Sequence, residues 1–272
     1  MPPGPVNEVS AMLFDLVKTA NLVALGGGRV IDAAKAIAAV RKGSVAALPT
    51  TLSGAEMTHI HRLPAGREAP RLIRPALVIA DPPLMATLPE ERLRASAMNA
   101  LAHGADSLYT PFANPVASLA ALRGAKLLAK ALDTAREERE PVPLALGSVL
   151  CGYAMDSALF SLHHVVCQSL VRALRIPHAE TNATMLPRTM AALRPRAPDA
   201  IRDLARAVGT KIAELEARLT ELGGGPRRLT DYDPDPDGID PAVKAILARP
   251  ELRFTPDPPD EAEIRELIES AW

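Results

Sequence analysis

The sequence predicts an α/β segment of about 85 residues followed by an all-α segment. Two observations carry this. Short apolar runs of strand length alternate with a helical run up to Asp81, and from Glu90 onward apolar residues recur at three- and four-residue spacing instead. The composition agrees: aromatic residues make up only 3% of the 272 residues while Ala and Leu abound, which favours packed helices over a β-sandwich.

In the first segment "NLVAL" runs into Gly26, a helix is expected from Ile31 to Val40, "SVAAL" stops at Pro49 and "ALVIA" stops at Asp81. Strands that are apolar on both faces and joined by crossovers of helix length or shorter belong to parallel sheets. After Glu90, Ala121, Leu122, Ala125, Leu128 and Leu132 mark one helical stripe. Ile201, Leu204, Val208, Ile212 and Leu215 mark another. The Gly- and Pro-rich stretch "GGGPRRLTDYDPDPDGIDP" reads as a surface loop or hinge before a last helix around Ala262 to Ala271. The organisation expected is therefore residues 1–85 as a nucleotide-type α/β unit and 86–272 as a helical unit.

Lys and Arg number 31 against 32 Asp and Glu, so no charge excess directs the chain to nucleic acid or an anionic membrane. A small-molecule substrate is the expected partner. Cys151 and Cys167 are the only cysteines and lie in apolar helical pattern, which suits a reducing cytoplasm better than a disulfide framework. No export signal and no uninterrupted apolar run of about 18 residues is present, so the expectation is a cytoplasmic protein that does not enter the membrane.

Gly26, Gly27 and Gly28 stand between a strand and a helix, where side-chain-free backbone can approach a ligand and the helix N-terminus favours an anion. A tight βα turn without a ligand explains the glycines equally well, since neither a complete G-x-G-x-x-G nor a P-loop is present. Asp32 and Lys35 lie one turn apart near the helix start, and a solvated helix face is their plain reading. Thr50, Thr51 and Ser53 follow the second strand, at the carboxyl edge where open α/β sheets bind ligands.

Asn99 and His103 are four apart on an expected helix and project from one face. His164 lies on a later helical run, and His178 follows Pro177, where the chain should break before the next helix. Imidazoles converging from several helices suit Zn or Fe(II), though such shells normally include an anionic oxygen and Asn99 is neutral. Each histidine alone is explained as well by a buried, hydrogen-bonded side chain. Asp233, Asp235, Asp237 and Gly238 imitate half of an EF-hand loop, but Lys244 occupies the twelfth position and prolines intrude, so a solvated acidic loop is preferred. No Glu stands at an H-E-x-x-H spacing, which disfavours a zinc hydrolase.

Taken in order, "GGGRVIDAAKAIA", "PTTLSGAEMT", "MNALAHGADSLYTP" and "HHVVCQ" with "PHAETNATMLP" resemble the iron-containing alcohol dehydrogenase superfamily, and within it the maleylacetate reductase branch. The resemblance implies a dehydroquinate synthase-like fold with its nucleotide-binding domain truncated at the N-terminus. It implies an NAD- or NADP-dependent oxidoreductase that moves hydride between the nicotinamide and a small unsaturated oxo-acid, or an alcohol or aldehyde. By the same resemblance Gly26, Gly27, Gly28, Arg29, Asp32, Thr50 and Thr51 would bind the cofactor. Asn99, His103, His164 and His178 would be the metal position, with Fe(II) or Zn weakly bound or absent, and the three histidines would act on the substrate.

Three features depart from the family pattern: one strand precedes the glycines, Gln168 replaces a histidine four residues after His164, and Arg29 replaces a small hydroxyl residue. They keep open a second reading, a non-catalytic remnant or one half of a split dehydrogenase. The partner would then be a second chain supplying strands, or a second copy in a homodimer.

Overall fold

The computed structural model of the chain describes all residues except Pro3. Helix α1 (Val6–Phe14) precedes strand β1 (Leu22–Gly26), helix α2 (Gly28–Val40) and strand β2 (Val45–Pro49). A two-residue strand β3 (Leu77–Val78) completes a parallel sheet of order β1-β2-β3, with Leu22 beside Val45 and Ala46 beside Leu77. The three expected strands are thus present, and helix α1 is an addition that the sequence reading did not include. Ala24, Val45 and Ala47 face Ile31 and Ala38 of α2 and close a small core. The other face is open: Val23 is 74% and Leu25 60% exposed on the edge strand β1.

The remainder is helical: α3 (Pro82–Met85), α4 (Glu90–Ser107), α5 (Pro115–Asp133), α6 (Pro141–Ala158), α7 (Leu162–Leu174), α8 (His178–Leu193), α9 (Pro198–Ala207), α10 (Leu215–Leu222), α11 (Ile239–Leu247) and α12 (Glu261–Glu269). α4 is the central element, buried continuously from Ala95 to Ser107 and packed against α5, α6 and α8. Its many alanines let neighbours come close on every side. α5 and α6 approach so closely that a Cβ on Gly124 would stand 2.6 Å from Cys151 Sγ and 2.8 Å from the Gly147 carbonyl.

Two expectations are corrected. The apolar stripe from Ile201 to Leu215 is not one helix: Gly209, at φ 80°, ends α9, and a short 3-10 turn leads into α10. The stretch 223–241 is more than a surface loop. Leu229 is buried, Asp235 N donates to the Leu174 carbonyl, and a Cβ on Gly238 would stand 2.6 Å from the Ala173 carbonyl, so the segment docks on the end of α7.

α6 and α7 meet at a bend of 101°. Leu159 makes that corner at φ 61° and ψ −168°, a region nearly reserved for glycine. No single helix among the described residues is long and apolar enough to cross a membrane.

Candidate active site

The glycine turn is built for close approach. Gly26 adopts φ 155°, where a Cβ would strike Val30. A Cβ on Gly27 would lie 3.0 Å from Thr51 Cγ2, and one on Gly28 2.9 Å from Ser53 Oγ. Glycine here lets the turn nest against the 50–54 loop. No side chain caps α2 at Gly27, so its first N–H groups remain available to an anion. Thr50 N donates to the Gly26 carbonyl at 3.1 Å, and Thr51 Oγ1 is buried without a hydrogen-bond partner. These features fit a cofactor pyrophosphate.

Arg29 and Asp32 behave differently from the rest of that expected set. The exposed Arg29 donates from Nη2 to the carbonyls of Pro2 (2.8 Å) and Gly4 (2.7 Å), which draws its charge toward the N-terminal segment. Asp32 sits 2.7 Å from Lys35 Nζ. Lys35 is not on a solvated face, as the sequence suggested. It is fully buried, and its ammonium donates to the carbonyls of Ala55 (2.8 Å), Thr58 (3.0 Å) and Ile60 (3.1 Å). A lysine thus ties the strand β2 loop to α2. Burial raises the Asp32 carboxyl above its usual range, with Lys35 opposing. Glu56, 1% exposed with both carboxylate oxygens unpartnered, is pushed by burial to about 7.

The 50–54 loop continues directly to the imidazoles. Leu52 N donates to Ser96 Oγ at 3.0 Å, and Asn99 Nδ2 donates to the Ser53 carbonyl at 3.3 Å. Gly54, at φ 71°, lies against the His103 ring: a Cβ there would be 2.8 Å from Nδ1. His103 and His164 stack at 4.8 Å between ring centres, and Phe160 meets His164 edge-on at 5.8 Å.

His164 is oriented by Asp106, a residue the sequence reading passed over although it lies three positions after His103 on α4. Its carboxylate accepts from His164 Nδ1 at 2.8 Å, and from the backbone N–H of His164 (3.0 Å), Ser161 (3.3 Å) and His163 (3.4 Å). Tyr109 also donates to it. A carboxylate at the N-terminus of α7 is favoured by the helix dipole, and it places the His164 proton on Nδ1. His164 Nε2 is left buried with a free lone pair.

Its neighbour His163 turns away. His163 bonds Thr189 Oγ1 (2.8 Å) and Asn182 Oδ1 (2.9 Å), while Asn182 Nδ2 donates to His178 Nε2 at 3.2 Å and to the His178 carbonyl at 2.7 Å. As expected, α8 begins at His178 after Pro177.

The imidazoles are held neutral. Burial is the main cause for all of them: it pushes His163 and His164 down to about 3 and His103 well below the usual histidine range, with mutual repulsion adding to the effect. His178 differs, because it has substantial solvent-accessible surface although protein surrounds it. The surrounding protein directs its shift downward, and water at its exposed edge moderates it.

A metal fits this donor set poorly. Among the described residues, no three His, Cys, Asp or Glu side chains are placed to hold an ion. Asn99, His103 and His164 offer neutral donors, each with a buried unpartnered atom, but Asp106 is committed to His164 and the His178 Nε2 lone pair to Asn182. The expected four-ligand shell is therefore not closed, for want of an anionic oxygen.

The comparisons place this architecture. Residues 94–272 match the Fe-containing alcohol dehydrogenase family, C-terminal. The chain is 32% identical over 264 residues to a maleylacetate reductase of Rhizobium sp. (strain MTP-10005), covering 92% of this chain and 73% of the relative. Its structure resembles that of maleylacetate reductase from Agrobacterium tumefaciens with a TM-score of 0.83 at 31% identity, covering 97% of this chain and 77% of the other. It resembles an iron-containing alcohol dehydrogenase from Corynebacterium glutamicum with a TM-score of 0.85 at 32% identity, covering 97% and 76%. A glycine turn, a threonine loop and an imidazole cluster in continuous contact, together with these likenesses, make the chain a member of the iron-containing alcohol dehydrogenase family.

Proposed function

We propose that this chain is an NAD(P)-dependent oxidoreductase that moves hydride between a nicotinamide and either a small unsaturated oxo-acid or an alcohol or aldehyde. One observation carries the reading: Gly27 against Thr51, Gly28 against Ser53, Ser53 bonded to Asn99, and Gly54 against His103 form an unbroken path from anion cradle to imidazole cluster. The relatives named maleylacetate reductase support the oxo-acid side.

A nicotinamide cofactor, when bound, supplies the hydride. The N–H groups of the glycine turn and the Thr51 hydroxyl hold its phosphates, and the Gly54 turn sets the distance from that cradle to His103. When hydride adds to one carbon of a conjugated double bond, negative charge moves to the carbonyl oxygen, and the other carbon then takes a proton. A neutral imidazole N–H stabilises the oxygen by hydrogen bonding. His178, with its proton on Nδ1 because Nε2 accepts from Asn182, has an edge in contact with water and passes on the proton. His164 Nε2 accepts a substrate hydroxyl or enol hydrogen. No step needs a metal.

The reading is tested by calorimetric titration of NADH and NADPH into the full chain, followed by turnover with unsaturated oxo-acids. A dissociation constant on the order of 1 μM is expected. Failure to bind up to millimolar cofactor ends it.

The open sheet face supports a second reading, in which another chain or a second copy covers the exposed Val23 and Leu25 and supplies strands beyond β1. Light scattering decides between them: a monomer that turns over NADH alone needs no such partner.

A further inference from the structure

A polar cavity lies at the edge of the sheet opposite the glycine turn. Ser44 stands just before β2, and Arg74 and Ala76 just before β3; with His59, Arg71 and Leu72 they line a cavity of about 370 Å3. Gly26 and Thr50 lie instead at the carboxyl ends of β1 and β2, so a strand's length, about 13 Å, separates the two places. The volume falls in the range of about 300–1,000 Å3 that holds whole small molecules.

One buried carboxylate builds the wall of this cavity. Asp156, near the end of α6, has a side chain only 4% exposed, and it divides its two oxygens between His59 and Arg74. Oδ1 accepts from the His59 backbone N–H at 2.6 Å and from His59 Nδ1 at 2.5 Å, while Oδ2 accepts from Arg74 Nη1 at 2.9 Å. The loop is fixed from behind as well: Lys35 holds the Thr58 and Ile60 carbonyls on either side of His59, and His61 Nε2 accepts from Ile73 N at 3.1 Å. An imidazole whose Nδ1 donates keeps Nε2 as an acceptor. Among the described residues no protein group takes that lone pair, and the ring is partly open to the cavity. Arg74 keeps N–H groups beyond the one given to Asp156. Arg71, exposed on the same loop, has no acidic partner among the described residues. Arg74 and Asp156 cancel in charge, so Arg71 leaves the cavity with one uncompensated positive charge.

We propose that this cavity is a binding site for a phosphate monoester, separate from the glycine turn. Its wall presents two guanidinium donors beside one imidazole acceptor. A carboxylate or a sulfate ester offers acceptors alone and leaves His59 Nε2 unserved. A phosphate monoester carrying one proton has oxygens for Arg71 and Arg74, an O–H for Nε2, and one negative charge to match the one left over. The cavity is larger than a phosphate group, and Leu72 and Ala76 supply apolar surface for the organic part of the ester. The assignment does not rest on the oxidoreductase reading, because none of these residues belongs to the glycine turn, the threonine loop or the imidazole cluster.

The test is titration calorimetry of phenyl phosphate, phenyl sulfate and inorganic phosphate into the full chain at about pH 6, where roughly half of a phosphate monoester carries its second proton. Phenyl phosphate is expected to bind with a dissociation constant on the order of 1 mM or below, and the other two about tenfold more weakly. Arg71→Gln should weaken phenyl phosphate about tenfold, whereas Arg206→Gln, which alters an exposed arginine on α9, should leave it unchanged. His59→Phe, which removes the acceptor, should abolish the preference for phosphate over sulfate. Absence of phenyl phosphate binding up to about 10 mM overturns the site, as does equal binding of phenyl sulfate or of inorganic phosphate. Undiminished binding by Arg71→Gln also overturns it and would put the ester at the glycine turn. Phenyl phosphate binding that depends on Arg71 in a chain that fails to bind NADH would retain this site and reject the oxidoreductase reading.

Discussion

Lys35→Met removes the tie between α2 and the active-site loop, and the structure sets the size of the effect. The ammonium is fully buried, donates to three carbonyls at 2.8 to 3.1 Å and pairs with Asp32 at 2.7 Å. Methionine fills a similar volume but leaves three carbonyls without their donor and a carboxylate without its counter-charge. Removing one member of a buried charged pair costs about 3–5 kcal/mol. The Asp32 side chain keeps 27% of its surface in contact with water, which softens its loss and sets the expectation at the lower end, about 3 kcal/mol. Urea unfolding followed by circular dichroism measures this as a lower midpoint at unchanged slope. Adding Asp32→Asn should recover part of the loss by removing the stranded charge, but not all, because the carbonyls of Ala55, Thr58 and Ile60 remain unserved. A cost below about 1 kcal/mol for Lys35→Met would refute the view that this lysine holds the loop.

Three further outcomes are expected. Gly54→Ala puts a Cβ 2.8 Å from His103 Nδ1 at φ 71°; it should lower kcat/KM by about 100-fold at a stability cost of about 1 kcal/mol, and unaltered kinetics would show that the His103 position is not set by this turn. Stability should fall on acidification from about pH 6 to about 4.5. His61, His163 and His164, pushed down to about 4, 3 and 3, stay neutral in the fold while the unfolded chain binds their protons; each costs about 1.4 kcal/mol per pH unit, and Glu56, pushed up to about 7, offsets one of the three. Unfolding midpoints that are flat or rise over that interval would contradict the neutral burial of these rings. Asn99→Asp supplies the missing anionic oxygen and should raise zinc affinity at least tenfold in a chelator competition; no gain would mean that ligand geometry, not charge, keeps the shell open.

The parallel strands were legible because glycine or proline ends two of the three apolar runs, and α4 because Asn99 and His103 fall in a continuous helical pattern. The break between α9 and α10 was signalled only by Gly209, a single residue inside a stripe that otherwise continues to Leu215. Lys35 was misread because a cation on a helix suggests water, yet it stands four residues after Ile31, on the buried face of α2. Asp106 carried a similar local signal, one turn from His103. Arg249 and Gln168 carried none: 81 residues separate them, and only the docking of the 250–254 turn on α7 brings them together.

The adjacent histidines at the start of α7 show how two copies of one residue do different work. Successive side chains on a helix diverge by about 100°, so His163 and His164 cannot face the same partner. His164 turns to Asp106 and stacks on His103. His163 turns to Thr189 and Asn182, and Asn182, with its oxygen engaged by His163, presents its nitrogen to His178. A single dipeptide therefore orients two imidazoles of the cluster, one directly and one through an amide. The tautomers follow in sequence: His163 donates from Nε2, so Asn182 offers its amide hydrogens, so His178 Nε2 accepts and its proton lies on Nδ1. His163 is thus a positioning residue. Replacing it with glutamine, which keeps a donor to Asn182, should disturb the cluster far less than replacing it with leucine, which leaves the Asn182 oxygen buried and free to turn.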